Sequence, residues 1–141
     1  MTGIRTEALD TPPTRVVACE DQPFWDAIDD GQFVLARCTC GAHYARLQAC
    51  LACQATAQTM RWVSAAGDGT VRSFVIFDKA YHPYFAGLLP YVVAIVTLTE
   101  GPEILTNVID AEAAAVHIGM PVRIVIAERG GQSIHQASAR L

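Results

Sequence analysis

RCTCGAHYARLQACLAC, residues 37–53, gathers four of the chain's five cysteines and a histidine. Its spacing is nearly that of a zinc ribbon. Cys50-x2-Cys53 is the usual reach of two thiolates gripping one metal ion. The other arm, Cys38-x-Cys40, is one residue shorter. The glycine after it, Gly41, permits the positive-φ turn that such loops take. Three readings stay open on spacing alone: a site of Cys38, Cys40, Cys50 and Cys53, a site in which Cys40-x2-His43 restores the ordinary reach and frees Cys38, or a cluster without metal. A catalytic zinc keeps an open position for water, whereas four thiolates close the shell and leave a poor Lewis acid. A metal here is expected to be a structural staple.

Upstream, residues 32–37 read as a strand leading into the cysteines, and EDQPFWDAIDDGQF before it reads as a short helix. Asp21 can cap its start, Pro23 suits its first turn and Gly31 is a natural stop. Phe24, Trp25 and Ile28 share one stripe at helical spacing. That stripe docks either on this chain's own core or on a partner, and the three residues are the candidate partner interface. Residues 1–19, with Pro12-Pro13, read as a tail.

Downstream the signals are β. Strands are expected at 61–66, 70–78, 91–99, 103–109 and 120–127, with Gly67-Asp68-Gly69 as a tight turn and one or two helical turns in AEAAAVHIG. Residues 130–141, GGQSIHQASARL with its lead residue Gly130, read as a loose tail. Five strands with a small helix before the last fit a mainly β, five-stranded barrel of the oligonucleotide/oligosaccharide-binding (OB) type, with an SH3-like barrel as nearest competitor. YVVAIV, from Tyr91, is apolar on both faces, so its outer face needs cover from the N-terminal helix or from another chain.

Composition narrows the function. Apolar residues make up 52% of the 141-residue chain and charged residues 17%, which marks a globular protein. No apolar run is long enough for a bilayer span, and MTGIRTEALDTPPTR lacks the apolar centre of a signal peptide. The expected location is the cytoplasm, where thiols stay reduced and clustered cysteines serve metals. Cys19 stands alone as an idle thiol. The net charge is −4 with one lysine, and Glu20, Asp21, Asp26, Asp29 and Asp30 crowd together. Nucleic acids demand the reverse, a concentrated basic surface. In the loop KAYHPYFAGLLP, Lys79 and His82 are candidate contacts for a coenzyme A phosphate. His117 and His135 carry no special role. No nucleophile–base pair, carboxylate dyad or phosphate loop stands out, so the chain is not expected to be an enzyme by itself.

FWDAIDDGQFVLARC, CG, CLAC, GDGTVRSFVIF, PYFAGLLPYVVAIVTLTEGPEILTNVID and IGMPVRIVIAE occur in an order that closely resembles a family long catalogued as a domain of unknown function. The resemblance spans about residues 20–129. It implies an N-terminal helix, a rubredoxin-like zinc ribbon and a C-terminal OB fold. The family's first knuckle is normally Cys-x2-Cys-Gly, from which this chain departs. The organisation expected is a tail (1–19), a helix (20–31), a zinc ribbon (32–60), an OB-fold domain (61–129) and a C-terminal tail (130–141). The resemblance also implies a non-catalytic companion of acyl-CoA enzymes: an accessory subunit of a larger thiolase-like, related acyltransferase or steroid side-chain aldolase-like subunit. Its structural zinc would be its only cofactor, and acyl-CoA would lie at the shared interface. The alternative is an OB-fold/zinc-ribbon module for nucleic acid, which the charge disfavours.

Overall fold

In the computed structural model, which describes residues 12–140, the cysteine segment and the barrel form two sheets joined by one shared core. A single 3-10 turn, Cys19–Asp21, leads into helix α1, Gln22–Asp29. Pro23 sits in its first turn as expected, but the Asp21 carboxylate makes no side-chain cap. It pairs with Arg46 instead, at 2.7 Å. Gly31, at φ +79, ends the helix: its N–H donates to the Ile28 carbonyl, and that of Gln32 to Ala27. This doubled closure needs a left-handed residue, which glycine supplies without a Cβ clash.

The first sheet has three short antiparallel strands in the order β2-β1-β3: β1 Val34–Arg37, β2 His43–Tyr44 and β3 Arg61–Ser64. The segment expected to open the barrel, residues 61–66, thus belongs to the cysteine-bearing sheet. It pairs with β1 from Val34↔Ser64 to Arg37↔Arg61.

The barrel closes in the order β4-β5-β6-β8-β7, with β4 Asp68–Phe77, β5 Tyr91–Leu98, β6 Glu103–Ile109, β7 Pro121–Arg129 and β8 Gln132–Ala139. The fifth strand is therefore β8, which lies in the segment expected to be a loose tail. Gly130 and Gly131 turn the chain back, and β8 pairs antiparallel with β7 along its length and parallel with β6 at Asn107↔Gln136 to Ile109↔Ser138. Five strands with this one parallel closure make an OB-type barrel. Before β7, the expected helical turns are a single 3-10 turn, Ala113–Ala115. Closure on the other side rests on Asp68–Thr70 against Pro121–Arg123. Gly69 is pinched there: a Cβ on it would lie 2.5 Å from the Thr97 carbonyl oxygen.

Val71, Val92, Ala94, Val96, Leu98, Ile104, Val108, Val122, Ile124 and Ala137 fill the barrel. Phe24, Ile28, Phe33, Val34 and Leu35 belong to the same core, so α1 and β1 pack onto the barrel's interior residues. Ile28 is 0% exposed. Strand β5 alternates buried Val92, Ala94, Val96 and Leu98 with half-buried Tyr91, Val93, Ile95 and Thr97. Tyr91 is covered by this chain's own loop, stacked on Phe77 at 5.0 Å and against Phe85 at 5.3 Å. No helix among the described residues is long and apolar enough to cross a membrane.

Candidate metal centre and adjoining surfaces

Strand pairing brings the two cysteine arms together. Strand β1 delivers Cys38 at its end, where the Cys38 N–H donates to the Ala42 carbonyl and the Gly41 N–H to the Cys38 carbonyl. The second arm repeats this pattern one residue longer: Cys50 N–H to the Ala55 carbonyl, and Gln54 N–H to that of Cys50. Gly41 at φ +99 and Gln54 at φ 64 occupy matching left-handed positions. The missing residue of the first arm is thus absorbed inside its turn, and both arms present their sulfurs to one point.

The Sγ atoms of Cys38, Cys40, Cys50 and Cys53 all lie within 4.8 Å of one another. Cys38 and Cys53 are 3.5 Å apart, and Cys40 and Cys50 are 3.6 Å apart. A tetrahedron with metal–sulfur bonds near 2.3 Å has sulfur–sulfur edges of about 3.8 Å. These four residues can therefore hold a metal ion. His43 is not in the cluster: it lies on β2 opposite Arg37. Cys38 and Cys50 are buried and Cys40 and Cys53 exposed, so the site sits at the sheet's edge with one side open to solvent.

Electrostatics set Cys50 and Cys53 apart. Cys50 is drawn down to about 6, chiefly by the Tyr44 hydroxyl and then by the Cys53 and Ala52 amides, which outweigh burial. At Cys53 the Ala55 amide favours the thiolate. Hydrogen bonding with Cys38 and Cys50, burial and Cys40 together outweigh it and push the thiol up to about 12. Four thiolates cannot crowd together without a cation between them. A bound divalent ion would supply that charge and hold the two arms as one unit. Tyr44, absent from the sequence-level set, completes the surround: its Oη lies 3.3 Å from Cys50 Sγ and accepts from the Leu51 N–H at 2.8 Å. The phenol thus ties ligand to loop.

The other candidates fall elsewhere. Phe24 and Ile28, expected at a partner interface, are buried in this chain's own core. Trp25 is sandwiched between the Arg15 guanidinium, 4.7 Å from its ring, and His135, stacked at 5.8 Å. The helix stripe is spent internally. Lys79 lies over Tyr81 at 5.4 Å. His82 accepts from the Tyr84 N–H at 3.1 Å and so starts the 3-10 turn Pro83–Leu88. Neither lines the cavity beside that turn, whose one charged residue is Arg129. His135 is no idle tail residue either. Its Nδ1 is 2.9 Å from Thr106 Oγ1, and burial lowers its basicity.

Apolar surface remains on the outside of the barrel. Val75, Val93 and Asn107 align across β4, β5 and β6, as do Ser73, Ile95 and Leu105. Val75 is 58% exposed and Leu105 65%.

Residues 62–127 match the family model described as the ChsH2 C-terminal OB-fold domain. A solved structure titled Ltp2-ChsH2(DUF35) aldolase superposes with a TM-score of 0.79 at 27% identity, covering 91% of this chain and 100% of that one. A probable enoyl-CoA hydratase alpha subunit of Thermomonospora curvata is 45% identical over 60 residues, 43% of this chain and 18% of that protein. The 3-oxo-4,17-pregnadiene-20-carboxyl-CoA hydratase alpha subunit of Mycobacterium tuberculosis is 41% identical over 64 residues, 45% of this chain and 20% of that protein. This chain thus spans about a fifth of the length of these curated relatives. The chain is thus similar to the OB-fold DUF35 proteins, in sequence over residues 62–127 and in fold over 91% of its length.

Proposed function

We propose that this chain is a non-catalytic accessory subunit that holds one structural zinc ion through Cys38, Cys40, Cys50 and Cys53. It assembles with a larger aldolase-like or thiolase-like subunit acting on acyl-CoA thioesters. The observation that carries this is the likeness over 91% of the chain to a DUF35 chain whose structure is titled as an aldolase. The names of the two curated relatives, both alpha subunits of CoA-ester hydratases, point the same way. Zinc is the ion of choice because a four-thiolate tetrahedron favours it over harder cations. The partner face moves from the helix to the outer barrel surface around Val75, Val93, Ile95 and Leu105. Exposed apolar clusters of this kind mark interaction sites.

Co-expression with an acyl-CoA enzyme subunit encoded beside it should yield a complex that survives gel filtration. The pair Val75→Glu and Leu105→Glu should abolish that complex and leave the chain's melting curve in place, because both side chains are exposed. A complex indifferent to both substitutions removes the face from the proposal. Failure to associate with any such subunit removes the accessory role.

A further inference from the structure

Beside the 3-10 turn Pro83–Leu88, a cavity of about 200 Å³ opens between that turn and the barrel wall. Phe85, Leu88 and Tyr91 give it apolar walls, and three polar side chains from three different strands line it: Asn107 on β6, Arg129 on β7 and Gln136 on β8. Asn107 and Gln136 are register partners on the parallel pair. They alternate with buried Thr106, Val108 and Ala137, which puts them on the outer side of the wall. Asn107 is fixed by donating to the Val92 carbonyl at 3.2 Å. The Arg129 guanidinium is held 5.5 Å from the centre of the Phe85 ring and has no carboxylate partner among the described residues. An apolar pocket with a few convergent polar groups is the common form of a small-molecule site.

We propose that this cavity binds a small organic monocarboxylate, its carboxylate forked on Arg129 and its apolar body between Phe85, Leu88 and Tyr91. A planar guanidinium matches a carboxylate through two parallel hydrogen bonds. Charge limits the ligand further. Arg129 is the one ionisable cation of the cavity, and the adjoining groove, which shares Pro90, Ala111 and Ala113 with it, carries Asp110 and Glu112. Those carboxylates repel a polyanion such as a polyphosphate approaching from that side. One negative charge and a short apolar body fit. The site stands apart from the accessory-subunit proposal, since it requires no partner.

The test is titration of the 141-residue chain with hexanoate, hexanol and inorganic phosphate, followed by amide chemical shifts in two-dimensional NMR. Hexanoate should move the amides of residues 85–91, 107–109, 129 and 136 in a saturable way, and more tightly than either control. Arg129→Gln should weaken hexanoate by about tenfold or more, the loss expected for a charge-assisted pair, with hexanol unaffected. Arg129→Lys should recover part of it. Dispersed spectra of both variants would establish that they fold. The proposal is overturned if hexanol or phosphate binds as well as hexanoate, if hexanoate moves no cavity amide, or if Arg129→Gln leaves its affinity unchanged.

Discussion

Truncating Ile28 to alanine tests whether α1 is part of this chain's own core. The side chain is 0% exposed and sits among Phe24, Phe33 and the barrel's inner residues. Alanine removes three carbons, each worth about 0.8 kcal/mol in transfer from water, so roughly 2.4 kcal/mol is lost before any cavity forms. A packed core closes only partly over the gap, and the total should reach about 3–4 kcal/mol. For a chain of this length one kcal/mol corresponds to about 4 °C, so the melting temperature should fall by about 10–15 °C. Thermal denaturation followed by circular dichroism reads this directly. Leu105→Ala, at 65% exposure, serves as the comparison and should cost no more than about 0.5 kcal/mol. An Ile28→Ala chain that melts within about 2 °C of the parent would refute the shared core and return the helix to the role of a docking element.

Four further outcomes follow from the geometry. Elemental analysis should find one zinc per chain; Cys38→Ser should lose it and His43→Ala should keep it, since His43 is outside the sulfur cluster. Because Cys53 is pushed up to about 12, metal uptake near neutral pH must displace its proton, so affinity against a competing chelator should be weaker at low pH than at high. Tyr44→Phe, which removes the hydroxyl between Cys50 and Leu51, should cost about 10–100-fold in metal affinity, as loss of an outer partner commonly does. His135 is pushed below its ordinary value of 6.5 by burial. The unfolded chain therefore takes up its proton first as pH falls: the neutral ring's contribution is complete above 6.5 and is lost below it, by at most about 1.4 kcal/mol per pH unit. Urea denaturation from pH 7.5 to 5 should show this slope and His135→Gln should flatten it; an unchanged slope would place the titration elsewhere.

The helix, its glycine stop, the cysteine cluster and four of the five barrel strands were legible because each carries a local signal: helical spacing, turn glycines or β-rich runs. Strand β8 was not. QSIHQASA offers few large apolar residues, and its burial comes from closing the barrel against β6 and β7, a non-local event without a local trace. Residues 61–64 were legible as a strand but not as a partner of β1, since pairing is decided by which chain segments the cysteine cluster brings together. Phe24 and Ile28 have the same stripe whether they dock inward or outward, and only the core they share with the barrel settles it. The shortened Cys38-x-Cys40 arm read as a mismatch because spacing counts residues and not the turn that Gly41 takes. Tyr44 and Arg129 were missed for a related reason: each gains its role from a loop or turn residue that folding brings beside it.

Reconstitution of acyl-CoA turnover tests the accessory role most directly. The purified chain, a candidate aldolase-like or thiolase-like subunit and their equimolar mixture are assayed on the same acyl-CoA substrate. An accessory subunit gives no turnover alone, little from the partner alone and full activity in the mixture, lost again with Val75→Glu and Leu105→Glu. Cleavage of the thioester substrate by the isolated chain, or partner activity that is the same with and without it, would contradict the account.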